Sequence, residues 1–349
     1  MSTPVMLPRD RVQAALAFRP VDVPPLQYHS SPAGLHEHGE RLKELWRRYP
    51  EDFNVYGDLP ILHPDPKWIG PDGSYHELRR DAWGVLWEQR IFGVAGHPLE
   101  RPLDDWRNLD RFKAPALPAT TGPEFEAEQR RVTGLSRTHF VLSGWINLFE
   151  VMVAVRRYED VLMDLATDAP EIHRLADIIV DYQCGMIDYL VKRGVDAIYL
   201  ADDWGTQSHL ILSQELWRRF FKPRYQRFVD RVRCAGKHAF FHCCGQVWDL
   251  LEEFADLGLA AIWPQLPAYD VQELANRCRA LKLAVAVHPD RGHLMTHGQP
   301  DEVRQEVRRL AKLFRIETGG SWFYVEIDNG FPFENVKALI ETIGEMRRE

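Results

Sequence analysis

The chain has 349 residues, of which 45% are hydrophobic and 27% charged, enough for one large α/β domain or two ordinary ones with no need of disulfide staples. Its net charge of −8 speaks against a general nucleic-acid binder, which needs clustered Lys and Arg to meet phosphates. Charged residues interrupt every apolar run well before the ~18 residues of a membrane span, and the opening "MSTPVMLPRDRVQAALAF" has no apolar signal core.

Residues 9–18, "RDRVQAALAF", have the spacing of a short amphipathic helix, broken at Pro20. "VDVPPLQYHS" reads as an extended segment ending near Tyr28 and His29, and residues 36–50 return to helical spacing with many charges. From Leu59 to Pro118 the chain is rich in Pro, Gly and Trp, which favours loops and hairpins, a small antiparallel insertion. "PALPATTGPE" marks a junction. From residue 139 the rhythm changes: "HFVLSGWI", "VDAIYLADD", "KHAFFHCC", "LAAIWPQL", "LAVAVHPD" and "SWFYVEID" alternate with helical patterns. Val247, Leu250, Leu251 and Phe254 form one apolar stripe, stopped at Gly258. Val303, Val307, Leu310 and Phe314 form another after Pro300, and Val336, Leu339, Ile340 and Ile343 a third.

Strand–helix alternation calls for a parallel sheet covered by helices. Six such strands, with one or two from the first half, predict an α/β protein of the distorted (β/α)8 (TIM) barrel kind. The expected layout is one barrel domain over 1–349: an N-terminal extension, first strands and loop-rich insertion over 1–135, then clear β/α repeats over 136–349. A doubly wound open sheet is the rival, but no Gly-rich phosphate loop follows the first clear strand.

Nearly every β-like run ends in chemically capable residues: Asp202 and Asp203; His242, Cys243 and Cys244; Gln265; His288 and Asp290; Glu326 and Asp328. In a barrel these ends converge on one mouth, where such folds place their chemistry. His242 and Cys244 are two apart, so on a strand they share a face, while Cys243 points into the helix layer. Imidazole and thiolate suit zinc, which keeps an open position when catalytic; the alternative is a core histidine beside two small buried thiols. Gly245 permits a sharp turn and close ligand approach. Asp203 is either a proton-handling or orienting carboxylate or a helix cap, and Asp202 is better read as the cap. Glu326 is either a third metal ligand or an ion-paired strand end. Trp145 and Trp204 are candidates to line a pocket with Gln207, Gln265 and Asp290, or else are core. The five cysteines are odd in number with two adjacent, unlike a secreted disulfide framework, so reduced thiols in a cytoplasmic protein are expected.

The stretch "LADDWGTQSHLILSQELWRRFFKPRYQRFVDRVRCAGKHAFFHCCGQV", with "LGLAAIWPQLPAYD", "VHPDRGHLMTHGQPDEVRQEV", "GGSWFYVEIDNGFPFENVKAL" and the opening "RDRVQAALAFRPVDVPP", resembles the uroporphyrinogen decarboxylase superfamily. The resemblance spans most of the chain, is weakest over 60–135, and implies a distorted (β/α)8 barrel. True uroporphyrinogen decarboxylases use no metal and bind a poly-carboxylate substrate through an arginine-bearing N-terminal segment. The matching "LQYHSSPAGLHEHGE" has no arginine and brings His29, His36 and His38 instead. The superfamily's zinc-dependent methyltransferases, which work with a corrinoid protein, bind zinc through an H-x-C pair on this strand and a cysteine near the last one. His242 and Cys244 match the pair; Val325 and Glu326 stand where that cysteine would be.

The resemblance therefore implies methyl transfer between a small thiol, methoxy or methylamine compound and a corrinoid (cobalamin) protein, with zinc on His242, Cys244 and Glu326 and with Asp203 orienting the substrate or handling a proton. Two alternatives stay open. One is a metal-independent decarboxylase or lyase acting on a non-tetrapyrrole acid, with Asp203 and His29 as acid–base groups and Arg291 as carboxylate partner. The other is a non-catalytic binding subunit. A homodimer is expected by family analogy alone.

Overall fold

The computed structural model describes residues 5–29, 31–56 and 59–348; the first four residues of the opening read for a signal core lie outside these. Ten strands are described: β1 Leu26–His29, β2 Glu77–Arg80, β3 Leu86–Gln89, β4 His97–Glu100, β5 Leu142–Ile146, β6 Ala197–Ala201, β7 His238–Cys243, β8 Ala261–Pro264, β9 Ala284–Val287 and β10 Ser321–Glu326. Seven pair in parallel in the order β1-β10-β9-β8-β7-β6-β5. The other three, β2-β3-β4, form the separate antiparallel sheet expected of the Pro/Gly-rich insertion.

Residues 51–54 stand where an eighth strand would. The Asp52 amide donates to the Leu26 carbonyl at 2.8 Å and the Asp52 carbonyl accepts from the Phe140 amide at 3.0 Å, while the Asn54 amide group donates to the Leu142 carbonyl at 2.9 Å. One irregular segment thus joins β1 to β5. The sheet is curled, and the architecture is α/β with a distorted (β/α)8 barrel.

Alternation along each strand divides two cores. Leu142, Ala197, Tyr199, Phe240, Ala261, Trp263, Ala284, Ala286, Trp322 and Tyr324 pack inside with Phe53 and Phe140. Small alanines on β8 and β9 leave room for the large rings of Trp263, Trp322 and Tyr324. Residues of opposite parity, Ile198, Leu200, Phe241, Val285, Val287, Phe323 and Val325, join the core between sheet and helices. Helix Pro8–Leu16 covers the end where the strands begin: Val12 is fully buried among the interior rings, and the Gly320 amide donates to the Ala15 carbonyl at 2.7 Å.

The second and third stripes read from the sequence lie on helices Pro300–Phe314 and Phe333–Met346, while the first is split between a 3-10 turn, Trp248–Leu250, with Val247 before it, and helix Leu251–Leu257. Pro300 opens the second at its first turn, where a missing N–H costs nothing. Its Gln299–Glu302 capping box satisfies two further terminal amides. Among the described residues, the far end of the barrel, where the strands finish, carries no such plug.

Candidate active site and metal centre

Parity continued past the last strand residues decides what faces the mouth. On β7 it turns Phe240 and His242 inward, and Phe241 and Cys243 outward. Cys243 is buried against the helix layer, its sulfur accepting the Trp204 amide at 3.3 Å. Past the end of β7, Cys244 returns inward, its sulfur 3.4 Å from His242 Nε2. Asp203, beyond the end of the neighbouring β6, accepts the Cys244 amide at 2.7 Å. One donor atom from each of Asp203, His242 and Cys244 lies within 4.8 Å of the other two, a spacing that a single ion can bridge.

His242 Nδ1 lies 2.9 Å from the Trp263 carbonyl. A carbonyl can only accept, so the proton sits on Nδ1 and the Nε2 lone pair is turned toward Cys244. This is the tautomer control found behind metal-bound histidines. Burial, only partly offset by that hydrogen bond, pushes the imidazole pKa down to about 3. Burial and the Asp203 charge push the Cys244 thiol up to about 12. Both shifts have the same electrostatic origin: the group is rich in lone pairs and holds no positive charge of its own. A soft divalent ion would supply the missing charge, and a set of one nitrogen, one sulfur and one carboxylate fits zinc with a fourth position left open.

His242 and Cys244 form one wall of a 320 Å³ cavity, shared with Gln207, Trp263, Gln265, His288, Asp290 and Arg291. The Gln265 side-chain oxygen accepts the Gly245 amide at 2.7 Å and faces the Gln207 amide group at 3.3 Å. Trp263 lies under the His242 ring at 3.9 Å and the Tyr324 ring at 4.1 Å. Trp145 should by parity face the helices, but a register irregularity between Ser143 and Ile146 turns it to the mouth. There it is 47% exposed and stands 5.6 Å from the His242 ring and 6.3 Å from Trp263.

Four residues stand otherwise than one of their sequence readings has them. Glu326 does not join the donor group: it is paired with Arg291, lies 3.7 Å from His29 and accepts from the Tyr324 hydroxyl at 3.2 Å. The carboxylate beside His242 and Cys244 is Asp203, so Asp203 caps no helix. Trp204 lines no pocket, because it has the parity of Asp202. It is 1% exposed and stacks on Phe241 at 5.1 Å, edge-on to Trp217 and Tyr225. Gly245, at φ +71, makes room for protein and not for a ligand, since a Cβ there would lie 2.2 Å from the Gly205 carbonyl oxygen. Two glycine backbones in contact hold the loops after β6 and β7 together.

Asp202 is a cap, but of an earlier helix and not of the helical segment that follows it, which is where the sequence reading put it. Its carboxylate accepts the amides of Leu148, Phe149 and Glu150 at 2.8–3.0 Å and the Tyr225 hydroxyl, at the start of helix Phe149–Val155. Asp290 lines the cavity through its loop, while its carboxylate accepts the Gly292 amide at 2.8 Å. His29 faces the mouth beside Tyr324 and Trp263; burial, then the Arg291 charge, lowers its pKa to about 4.

Of two further mouth residues, sequence reading weighs Trp263 among the strand-end aromatics and passes over Glu150. Trp263 is signalled by its parity with the inward alanine of "AIWP". Glu150, whose pKa is raised to about 7 by burial and by the Asp203 charge, sits in the first turn of a helix after a strand end, a place where polar residues face the same mouth.

No helix among the described residues is long and apolar enough to cross a membrane. A curated protein described as uroporphyrinogen decarboxylase, from Ruthia magnifica subsp. Calyptogena magnifica, is 26% identical over 152 residues, 42% of this chain and 40% of that protein. The chain thus spans about two fifths of the curated relative it matches. Among solved structures, a methyltransferase from Methanosarcina mazei shares the fold with a TM-score of 0.65 and 16% identity, over 97% of this chain and 99% of that one. The family described as uroporphyrinogen decarboxylase (URO-D) matches residues 117–346, a span that holds every mouth residue from Trp145 to Glu326 and well over half of the chain, and to that family this chain belongs.

Proposed function

We propose that the chain is a zinc-dependent methyltransferase. It moves a methyl group between a small substrate of the thiol, methoxy or methylamine type and a corrinoid carried by a partner protein. The observation that carries the reading is the Asp203–His242–Cys244 group, with its imidazole tautomer already set for a ligand. The shared fold with a solved methyltransferase is consistent with it.

His242 Nε2, Cys244 Sγ and the Asp203 carboxylate would hold the ion. As a Lewis acid in that place, zinc lowers the pKa of a substrate thiol or polarises a methoxy or amine group. The protein's own part is positional. The Trp263 carbonyl fixes the His242 ring, and the Cys244 amide fixes Asp203. Gln207 and Gln265 offer amide groups to the polar end of a substrate in the cavity, while Trp263 gives it an apolar wall with Trp145 beside it at 6.3 Å. His29 is neutral near pH 7 and available as a proton acceptor at the rim.

The family's name also raises decarboxylation. A poly-carboxylate needs several cationic partners, and the cavity is lined by one arginine, Arg291, which is already paired with Glu326 and Asp328. That favours methyl transfer over the decarboxylase reading. Metal analysis of the purified protein, paired with methylcobalamin demethylation over candidate thiols, tests the proposal. Near-stoichiometric zinc that is lost in His242→Ala is the expected result. Metal content unaffected by His242→Ala, or full activity after thorough chelation, would overturn it.

A further inference from the structure

The two glutamines of the mouth cavity are held in orientations that their partners fix. The Gly245 amide can only donate, so the Gln265 atom that meets it at 2.7 Å is the side-chain oxygen. Gln207 faces that same oxygen at 3.3 Å and therefore presents its NH2 group to it. The Gln265 oxygen is thus engaged twice from within the protein. Gln265 Nε2, a donor, and Gln207 Oε1, an acceptor, find no partner among the described residues, and both residues line the cavity.

The frame that carries this pair is braced on both sides. The Gln246 amide donates to the Thr206 carbonyl at 2.7 Å, and the Thr206 amide to the His209 carbonyl at 2.7 Å. Thr206 Oγ1 donates to the same His209 carbonyl at 2.9 Å. The turn that holds Gln207 is thereby fastened to the loop after β7. Opposite it, the Tyr269 hydroxyl donates to the Gly245 carbonyl at 3.0 Å and accepts the Val247 amide at 2.8 Å. The Ala268 amide closes on the Gln265 carbonyl at 3.0 Å. Gly245 directly follows Cys244, so the amide pair begins one residue from the donor group.

We infer that the mouth cavity selects substrates that carry a primary carboxamide a short carbon chain away from the methyl-bearing heteroatom, with Gln265 and Gln207 as the specificity-determining residues. The ligand's carbonyl oxygen accepts from Gln265 Nε2, and its NH2 group donates to Gln207 Oε1. A carboxylate has no proton to give Gln207, and it meets a wall that already carries Asp290. A ketone offers an acceptor alone and an alkyl group neither, so each leaves a polar group of the site unpaired, which is what rejects it. The inference rests on the proposed function for the cavity as the substrate's place, while the recognition of the amide itself needs no metal.

Calorimetric titration of the zinc-loaded protein with 3-mercaptopropionamide, 3-mercaptopropionate and 3-methyl-1-butanethiol tests it, since the three share the thiol and differ at the far end. The amide should bind at least about tenfold tighter than either of the others, a preference worth about 1.4 kcal/mol. Gln265→Glu keeps acceptors for the Gly245 and Gln207 amides and removes the N–H donor. It should retain zinc and lose most of the amide's advantage over the alkyl thiol. Gln207→Leu, at an exposed position, should lose part of it. A second series needs neither zinc nor a thiol: propionamide, 2-butanone and propionate, compared by NMR saturation transfer on the metal-free protein, should rank with the amide first. The amide first in that series on a protein that takes up no zinc would uphold the inference and sink the methyltransferase reading. Zinc taken up with the three thiols equal, the carboxylate preferred, or Gln265→Glu that binds the amide as the parent does would each overturn the inference and leave that reading standing.

Discussion

The two ends of the barrel bury the same kinds of side chain and use them differently. Where the strands begin, charges are matched. Arg11 reaches Asp22 at 2.6 Å and also pairs with Asp52; Arg347 meets Asp52 at 2.5 Å, and Arg9 meets Asp196 at 2.5 Å. Where the strands finish, Asp203, Glu150, the Cys244 sulfur and the His242 lone pair crowd together with no cationic side chain among them, and Arg291 is turned to Glu326 and Asp328. The difference teaches how to tell a structural charge cluster from a ligand site. A cluster that closes on itself holds the chain together, while one left short of positive charge is built to receive it.

The largest effect expected is at the matched end. Asp52 is fully buried, and Asp52→Ala would leave Arg347 without its carboxylate and Arg11 with Asp22 alone. Removing one partner of such a cluster costs about 3–5 kcal/mol, read as a fall in the denaturant midpoint, while the fraction that remains folded keeps its metal. A loss under about 1 kcal/mol would mean that these charges are solvated and that the contrast between the ends is false. At the mouth the pattern should reverse. His242→Ala and Cys244→Ala should lose metal and lower activity at least about 100-fold, equivalent to about 2.7 kcal/mol in the barrier, with little change in stability, because no matched charge is broken there.

A finer test separates the two mouth carboxylates. Asp203→Asn should weaken zinc about 10-fold or more, measured by competition with a chromophoric chelator. Glu326→Gln should leave zinc affinity within about twofold, since supporting contacts alone move such affinities more than that; its effect falls on Arg291, whose release should raise affinity for anionic ligands. The reverse ranking would restore Glu326 as the metal's carboxylate.

That ranking also marks how far the sequence could be read. The strands after residue 139 were legible because each is a short apolar run with an inward parity. The same parity placed His242 and Cys244 together and Cys243 apart. It could equally have excluded Trp204, one step out of phase with Asp203. What parity cannot give is which strand ends are neighbours at the height of an ion. Asp203 follows β6, directly beside β7, whereas Glu326 ends β10, three places away in the sheet order. Trp145 is named for its place at a strand end, and what turns it inward is a strand irregularity that no pattern in "LSGWI" announces. Residues 51–54, which close the barrel by hydrogen bonds through an irregular backbone, carry no strand signal at all.

The smallest effects, and the ones that best expose the principle, are in the pH dependence of stability. Burial opposes ionisation of Asp22, but the Arg11 hydrogen bond, the Met6 amide and the Arg11 charge outweigh it and hold the carboxyl below its ordinary range. A depressed folded pKa gives stability that is present above the unfolded value of 3.8 and is lost as pH falls through the folded one. Glu51 lies the other way. Its folded pKa is raised by burial above the unfolded value of 4.5, so its contribution is complete below that value and is lost as pH rises toward the folded one. Asp22→Asn should therefore flatten the acid limb of the stability curve and cost about 1 kcal/mol near pH 7. Glu51→Gln should flatten the limb above pH 4.5 and gain stability near pH 7 on the order of 1 kcal/mol, about 2 °C in Tm. Both are read from urea unfolding at a series of pH values. If the two variants bend the curve in the same direction, a matched and an unmatched buried carboxyl do not differ in the way the two ends of this barrel imply.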